Sequence, residues 1–262
     1  MTRALIIVLV LIVPATAGAV DETIRTIPSR PGVTEAFVLI KPARPPAASR
    51  ILFMGGRGAL GLARGRIGPR NTNFLVRNRH RFAERGFLVA VVDVPSDRTR
   101  DALVRFRTSA EHADDVRALI TALRAEAPVP VWLVGTSMGS VSAASVAARP
   151  TDGGPDGVVL TSSVFGANRE MGESLQDVAL DQIHVPVLVV HHRDDACPSA
   201  RYARASWAMR RLSTAPRREL LTFSGGDTPQ SDACEPLSRH GSFGIDERVI
   251  DAIAAWISAT PR

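Results

Sequence analysis

Val131-Trp132-Leu133-Val134-Gly135-Thr136-Ser137-Met138-Gly139-Ser140 is the stretch whose reading decides the fold. An apolar, β-branched run stops at a Gly-x-Ser-x-Gly, and small helix-compatible residues follow from Val141 to Ala148, so the segment reads strand, tight turn, helix. At such a turn a serine is held in a strained backbone conformation, and Gly135 and Gly139 leave no side chain to collide where strand and helix crowd together. Ser137 is thereby pushed out above the sheet edge as a candidate nucleophile.

Toward the amino terminus, Val33 to Ile40 is strand-like and runs into a proline-rich turn, Lys41 to Pro46. Arg50 to Met54 is a buried strand that ends in Gly55-Gly56-Arg57-Gly58-Ala59-Leu60-Gly61. A glycine cluster at a strand end lets the backbone approach a ligand and turn N–H groups toward it. In acyl transfer such a loop supplies one of two oxyanion donors, the other being the N–H after the nucleophile, here Met138. Arg57 N–H is the expected loop donor, with Gly56 its near rival. The phosphate-loop alternative lacks the Gly-Lys-Ser/Thr it requires.

Asn71 to Arg85 has helical spacing, with Asn71 or Thr72 as its cap and Gly86 as its end. Phe87 to Val94 is a continuous apolar run, as expected of a parallel strand covered on both faces. Asp93, at its end, precedes the serine and reads as a loop hydrogen-bonding residue rather than a catalytic acid. A helix is predicted over Ser109 to Ala127 with Ala113, Val116, Ile120 and Leu123 inward and His112 at the surface or boundary.

On the carboxyl-terminal side, Gly157 to Val164 and Val185 to His191 are further strands, separated by too few residues for a cap domain. The second opens into His192-Arg193-Asp194-Asp195-Ala196-Cys197, which carries two adjacent carboxylates. His191 and His192 with these aspartates have the residue types of a zinc site, but adjacent strand residues point to opposite faces. A last strand, Glu219 to Phe223, leads through a polar loop to His240, and Asp246 to Ser258 has helical spacing.

The 262 residues are 45% apolar, enough for one large core. The net charge is +6, almost all of it arginine, with Lys41 the single lysine; the basic residues are scattered without aromatic interleaving, which argues against nucleic-acid binding. Met1 to Ala19 has a short basic start, an apolar run from Ala4 to Val13 and small residues before the expected cleavage point. This is the pattern of a secretory signal peptide, too short to span a membrane. The chain therefore divides into a signal peptide, 1–19, and one domain, 20–262, exported to a periplasm or the medium and left without a stable membrane anchor. In such a compartment Cys197 and Cys234 are expected to form a disulfide.

From about Val33 to Trp256 the sequence resembles the α/β-hydrolase superfamily, nearest in outline to its small capless dienelactone-hydrolase-like and esterase-like branches. The resemblance implies an α/β fold, a mostly parallel sheet of about eight strands with helices on both faces. It implies a triad of Ser137, Asp195 and His240, in the chain order the topology imposes, with Met138 and Arg57 amides as the oxyanion hole. Counted from Pro186, Asp195 stands at the acid of the family's Pro-Val-Leu-x-x-His-Gly-x-x-Asp pattern; Asp194 remains the alternative. Two departures stand out: Gly55 occupies the place of the usual loop histidine, and the segment between the last strand and His240 is long.

The activity implied is hydrolysis of an ester or related acyl bond in a small molecule through an acyl-enzyme, with no metal or organic cofactor. The arginines between Arg57 and Arg81 favour an anionic ester, although base composition accounts for them nearly as well. A catalytically silent binding protein and an exported peptidase or transacylase are the alternatives, because one fold hosts many chemistries. Oligomeric state is not legible.

Overall fold

The computed structural model describes residues 21–62, 65–68, 71–98, 101–149, 151–166 and 170–260. The proposed leader, 1–19, lies outside them. Eight strands form one sheet: β1 (Asp21–Arg30), β2 (Val33–Lys41), β3 (Ala48–Phe53), β4 (Phe87–Val92), β5 (Val131–Thr136), β6 (Gly157–Thr161), β7 (Val187–His192) and β8 (Arg218–Phe223). Their spatial order is β1-β2-β4-β3-β5-β6-β7-β8. β1 and β2 join antiparallel at one edge, and β4 through β8 run parallel.

The parallel strands are apolar on both faces because helices cover both. Along β5, Leu133 joins one core and Trp132 and Val134 the other, the period of two that pleating imposes. The first core packs against α3 (Ala110–Glu126), α4 (Met138–Ala147) and α5 (Ala205–Arg211); the second against α1 (Phe74–Arg77), α2 (Arg79–Glu84) and α6 (Asp246–Ser258). The residues read as inward on α3, namely Ala113, Val116, Ile120 and Leu123, are all buried.

Several expectations change. β1 was not read as a strand: DETIRTIPSR has no apolar alternation, is mostly exposed, and is organised by pairing with β2. The single helix expected over Asn71–Arg85 is broken at Asn78, which has φ −102° and ψ 7°. Its buried amide donates to Phe74 O and to Asp246, so side-chain bonding competes with the helical ladder. Asn73, rather than Asn71 or Thr72, caps α1 by accepting from Leu75 N–H. His112 is buried rather than at the surface or boundary, packed edgewise against Phe53 and Phe106. Burial, then the nearby arginines led by Arg107, push its pKa down to about 3. Between β6 and β7 the described chain forms only short 3-10 turns, Leu175–Asp177 and Leu180–Gln182. Among the described residues no helix is long and apolar enough to cross a membrane.

Candidate active site

β5 delivers Ser137 to the carboxyl end of the sheet and α4 leaves at once. Ser137 sits at φ 53° and ψ −124°, a conformation costly for any residue with a side chain. The flanking glycines are dictated by contact: a Cβ on Gly135 would lie 2.2 Å from Gly139 O, and one on Gly139 only 2.0 Å from Phe53 O. Gly55 approaches from β3 so closely that its Cβ would meet Ser137 Cβ at 2.9 Å and Oγ at 3.4 Å. Met138 opens α4, so its N–H is among those with no acceptor inside the helix.

The loop after β7 carries Asp195, 6% exposed, and the loop before α6 carries His240, 4% exposed. His240 Nδ1 lies 2.8 Å from Asp195 Oδ2, and Asp195 Oδ1 accepts the Cys197 N–H at 2.9 Å. Asp194 is exposed and makes no such contact with His240. His240 Nε2 is buried with no protein hydrogen-bond partner. His240 and Ser137 line the same cavity, about 480 Å³ in volume.

Burial alone pushes the Asp195 pKa up, but hydrogen bonds from His191 and His240, the charge of His240 and the Cys197 N–H together bring it down to about 2. The carboxylate is therefore ionised at any ordinary pH. His191 Nε2 lies 2.6 Å from Ala200 O and 3.4 Å from Asp195 Oδ2. Since a carbonyl only accepts, this nitrogen carries the proton and braces Asp195 as well. His192 Nε2 bonds Gly225 O, so the two adjacent histidines serve separate backbone carbonyls. Among the described residues no cluster of three His, Cys, Asp or Glu is placed to hold a metal ion.

Cys197 and Cys234 are joined by a disulfide and both line the cavity, tying the aspartate loop to the histidine loop. Asp93 accepts from the N–H groups of Leu60, Gly61 and Leu62, anchoring the far end of the glycine loop. That loop reaches the cavity through Gly55 and Gly56; Arg57 is not on the wall, its side chain is 59% exposed, and its carbonyl accepts from Leu103 N–H. The described arginines between 57 and 81 also stay off the wall, which instead carries Glu170 and Glu235. Arg64 and Arg70 lie outside the described residues.

Two buried groups beside the site had no sequence signal. Arg107, 1% exposed, reaches Gly56 O and Ser142, and Glu173 accepts from the backbone of Arg107 and Thr108. Nothing in Val104-Arg105-Phe106-Arg107 distinguishes the arginine that is buried. A second cavity of about 940 Å³, against Ala48, Phe87 and Trp132 at the opposite strand ends, contains none of the three candidate residues.

A family profile described as serine aminopeptidase, S33, matches residues 73–182. No curated protein sequence matches the chain. Among solved structures, a lidless α/β serine hydrolase from Xanthomonas campestris is 18% identical, with TM-score 0.62 over 92% of this chain and 97% of that one. A dienelactone hydrolase from Anabaena variabilis is 15% identical, with TM-score 0.63 over 93% and 99%. A thermostable carboxyl esterase from Bacillus coagulans is 14% identical, with TM-score 0.61 over 92% and 98%.

Proposed function

We propose that this chain, by its fold a member of the α/β-hydrolase superfamily, is an exported serine hydrolase that cleaves a carboxylic ester of a small molecule. One observation carries the reading. His240, which lines the same cavity as Ser137, gives Nδ1 to a buried, ionised Asp195 and keeps a buried Nε2 with no hydrogen-bond partner.

In this reading Asp195 holds the imidazole with its proton on Nδ1, leaving the Nε2 lone pair to accept the Ser137 proton as the hydroxyl attacks the acyl carbonyl. The Met138 N–H and the glycine-loop N–H receive the developing oxyanion; the cavity wall favours Gly56 for the second donor over Arg57. Collapse expels the alcohol with the proton returned from His240, and water then hydrolyses the acyl-enzyme by the same base. Glu235 on the wall favours an uncharged substrate over the anionic ester suggested by the arginine content. The disulfide at the site and the leader-like amino terminus support an oxidising, extracytoplasmic location.

A second reading is an aminopeptidase, favoured by the profile match and by Glu235, which suits a cationic amino terminus. The test is labelling with a fluorophosphonate, peptide mapping, and turnover of short p-nitrophenyl esters against aminoacyl anilides. Label on Ser137, with turnover of esters reduced about 10⁴-fold or more in Ser137→Ala, is the expected result. Wild-type protein that neither labels nor turns over either panel overturns the hydrolase reading, and faster anilide turnover replaces the ester with the peptide.

A further inference from the structure

Two consecutive glycines form a poor scaffold for a preorganised donor. Each has access to both signs of φ, so the path of the loop past Ser137 is soft unless something outside the loop holds it. Gly56 takes φ +58° and Gly58 φ +86°, and the carbonyl of Gly55 is engaged only by a long 3.3 Å bond from Gly58 N–H. The loop histidine usual in this fold is missing.

Arg107 fills this need from the segment between β4 and α3. Its guanidinium is completely enclosed. Nη2 donates to Gly56 O at 2.9 Å and makes a longer 3.5 Å contact with Met54 O; these are the carbonyls on either side of the Gly55–Gly56 peptide. Nη1 donates to Ser142 Oγ at 2.7 Å, on the helix that begins directly after Ser137. Because a trans peptide points its N–H opposite its C=O, drawing both carbonyls toward one nitrogen turns the N–H groups of Gly55 and Arg57 away from it. Both flanking planes are thereby set, and with them the positions of the Gly55 and Gly56 Cα atoms; the plane of the peptide between them is held by the Gly58 N–H on Gly55 O. The arginine is itself held at its backbone by Glu173, and Gly58 is required for its approach, since a Cβ there would lie 2.9 Å from Nη2. A buried guanidinium costs heavily in desolvation, and here its Nη atoms meet neutral acceptors while the nearby Glu173 carboxylate offsets part of that cost.

We propose that Arg107 is a positioning residue that holds the two peptides flanking Gly55–Gly56, and with them the place from which the loop presents its N–H to the oxyanion, and that it couples this loop to the nucleophile helix through Ser142. The inference rests on the serine-hydrolase reading above. Its planar head spreads separate donors over two carbonyls and a hydroxyl at once; lysine gathers its three donors on one compact nitrogen and does not span the same sites.

The test compares wild type, Arg107→Met and Arg107→Lys on a p-nitrophenyl ester, with a trifluoromethyl ketone as a mimic of the tetrahedral oxyanion. Wild-type labelling and turnover are established first; their absence fails the parent reading and not this one. Loss of one oxyanion donor costs about 10²–10³ in kcat, so a loosened donor is expected to cost about 10–100-fold in kcat with KM within about threefold. Affinity for the ketone falls by the same factor as kcat. Lysine recovers only part of both. A folded variant with kcat and ketone affinity within about twofold of wild type overturns the proposal, as does a loss confined to KM or one that tracks only the melting temperature. Should Arg107→Met not fold, Arg107→Lys, which keeps the buried charge, is read by the same comparison.

Discussion

Glu35 lies on β2 with 2% exposure, facing α3. Burial first, then the negative charges of Asp115 and Asp93, push its pKa up to about 9, with Arg30 pulling the other way. The folded protein therefore holds a proton at neutral pH that the unfolded chain has released. A carboxyl raised in this way contributes its full stability below the unfolded value near 4.5, and that contribution is lost as pH rises toward 9. Glu35→Gln, which is neutral at every pH, is expected to stabilise the protein at pH 8 by about 1–3 kcal/mol and to show no advantage at pH 4, read from urea denaturation midpoints at both. Arg50 presents a related case. Its guanidinium is fully buried, stacked on the rings of Phe87 and Phe82, and all three nitrogens lack hydrogen-bond partners. Burial, and secondarily the charge of Arg85, lower its pKa well below the arginine value. Arg50→Met, which keeps the packing and removes the charge, is expected to raise the denaturation midpoint by the equivalent of about 1–4 kcal/mol without altering fluorophosphonate labelling of the protein.

The elements differ in how much of them the sequence discloses. β4 and β5 are legible because a strand covered on both faces must be apolar throughout, and α6 because its buried positions recur at helical spacing. β1 is not, since an exposed edge strand owes its form to its neighbour rather than to its own pattern. Ser137, Asp195 and His240 are legible as a constellation because the fold presents them at fixed points along the chain. The placement of the glycine loop is not, because whether Gly56 or Arg57 meets the cavity depends on a carbonyl held by Arg107, some 50 residues away. At this scale the disulfide has a measurable role. It closes a separation of 37 residues and joins the loops on which Asp195 and His240 sit. Its removal by Cys197→Ser with Cys234→Ser is expected to cost about 2–4 kcal/mol and to lower kcat several-fold, measured by thermal melts and ester hydrolysis.

Taken whole, the molecule carries its candidate triad at one end of the sheet and its proposed export information at the amino terminus, outside the described residues. Expression of the full chain in a host with a periplasm is expected to yield protein beginning at Val20, by intact mass, in the osmotic-shock fraction. Protein of full mass retained in the cytosol would remove the export proposal and leave the fold untouched. Ionised Asp195 adds an acid limit: its lowered pKa stabilises the fold at pH 4 and above, and that contribution disappears as pH falls toward 2.

The outer rim of the sheet brings a hazard. β1 runs for ten residues at the end of the strand order; among the described residues no strand pairs with its far side, and Ile24 is turned to solvent. Such a rim invites another chain to add on. Asp21, Glu22 and Arg25 along it, and Pro28 with no N–H to offer, are features that oppose such edge-to-edge pairing between copies. Variants chosen for a flatter or more apolar first strand would trade solubility for nothing the catalytic end can use.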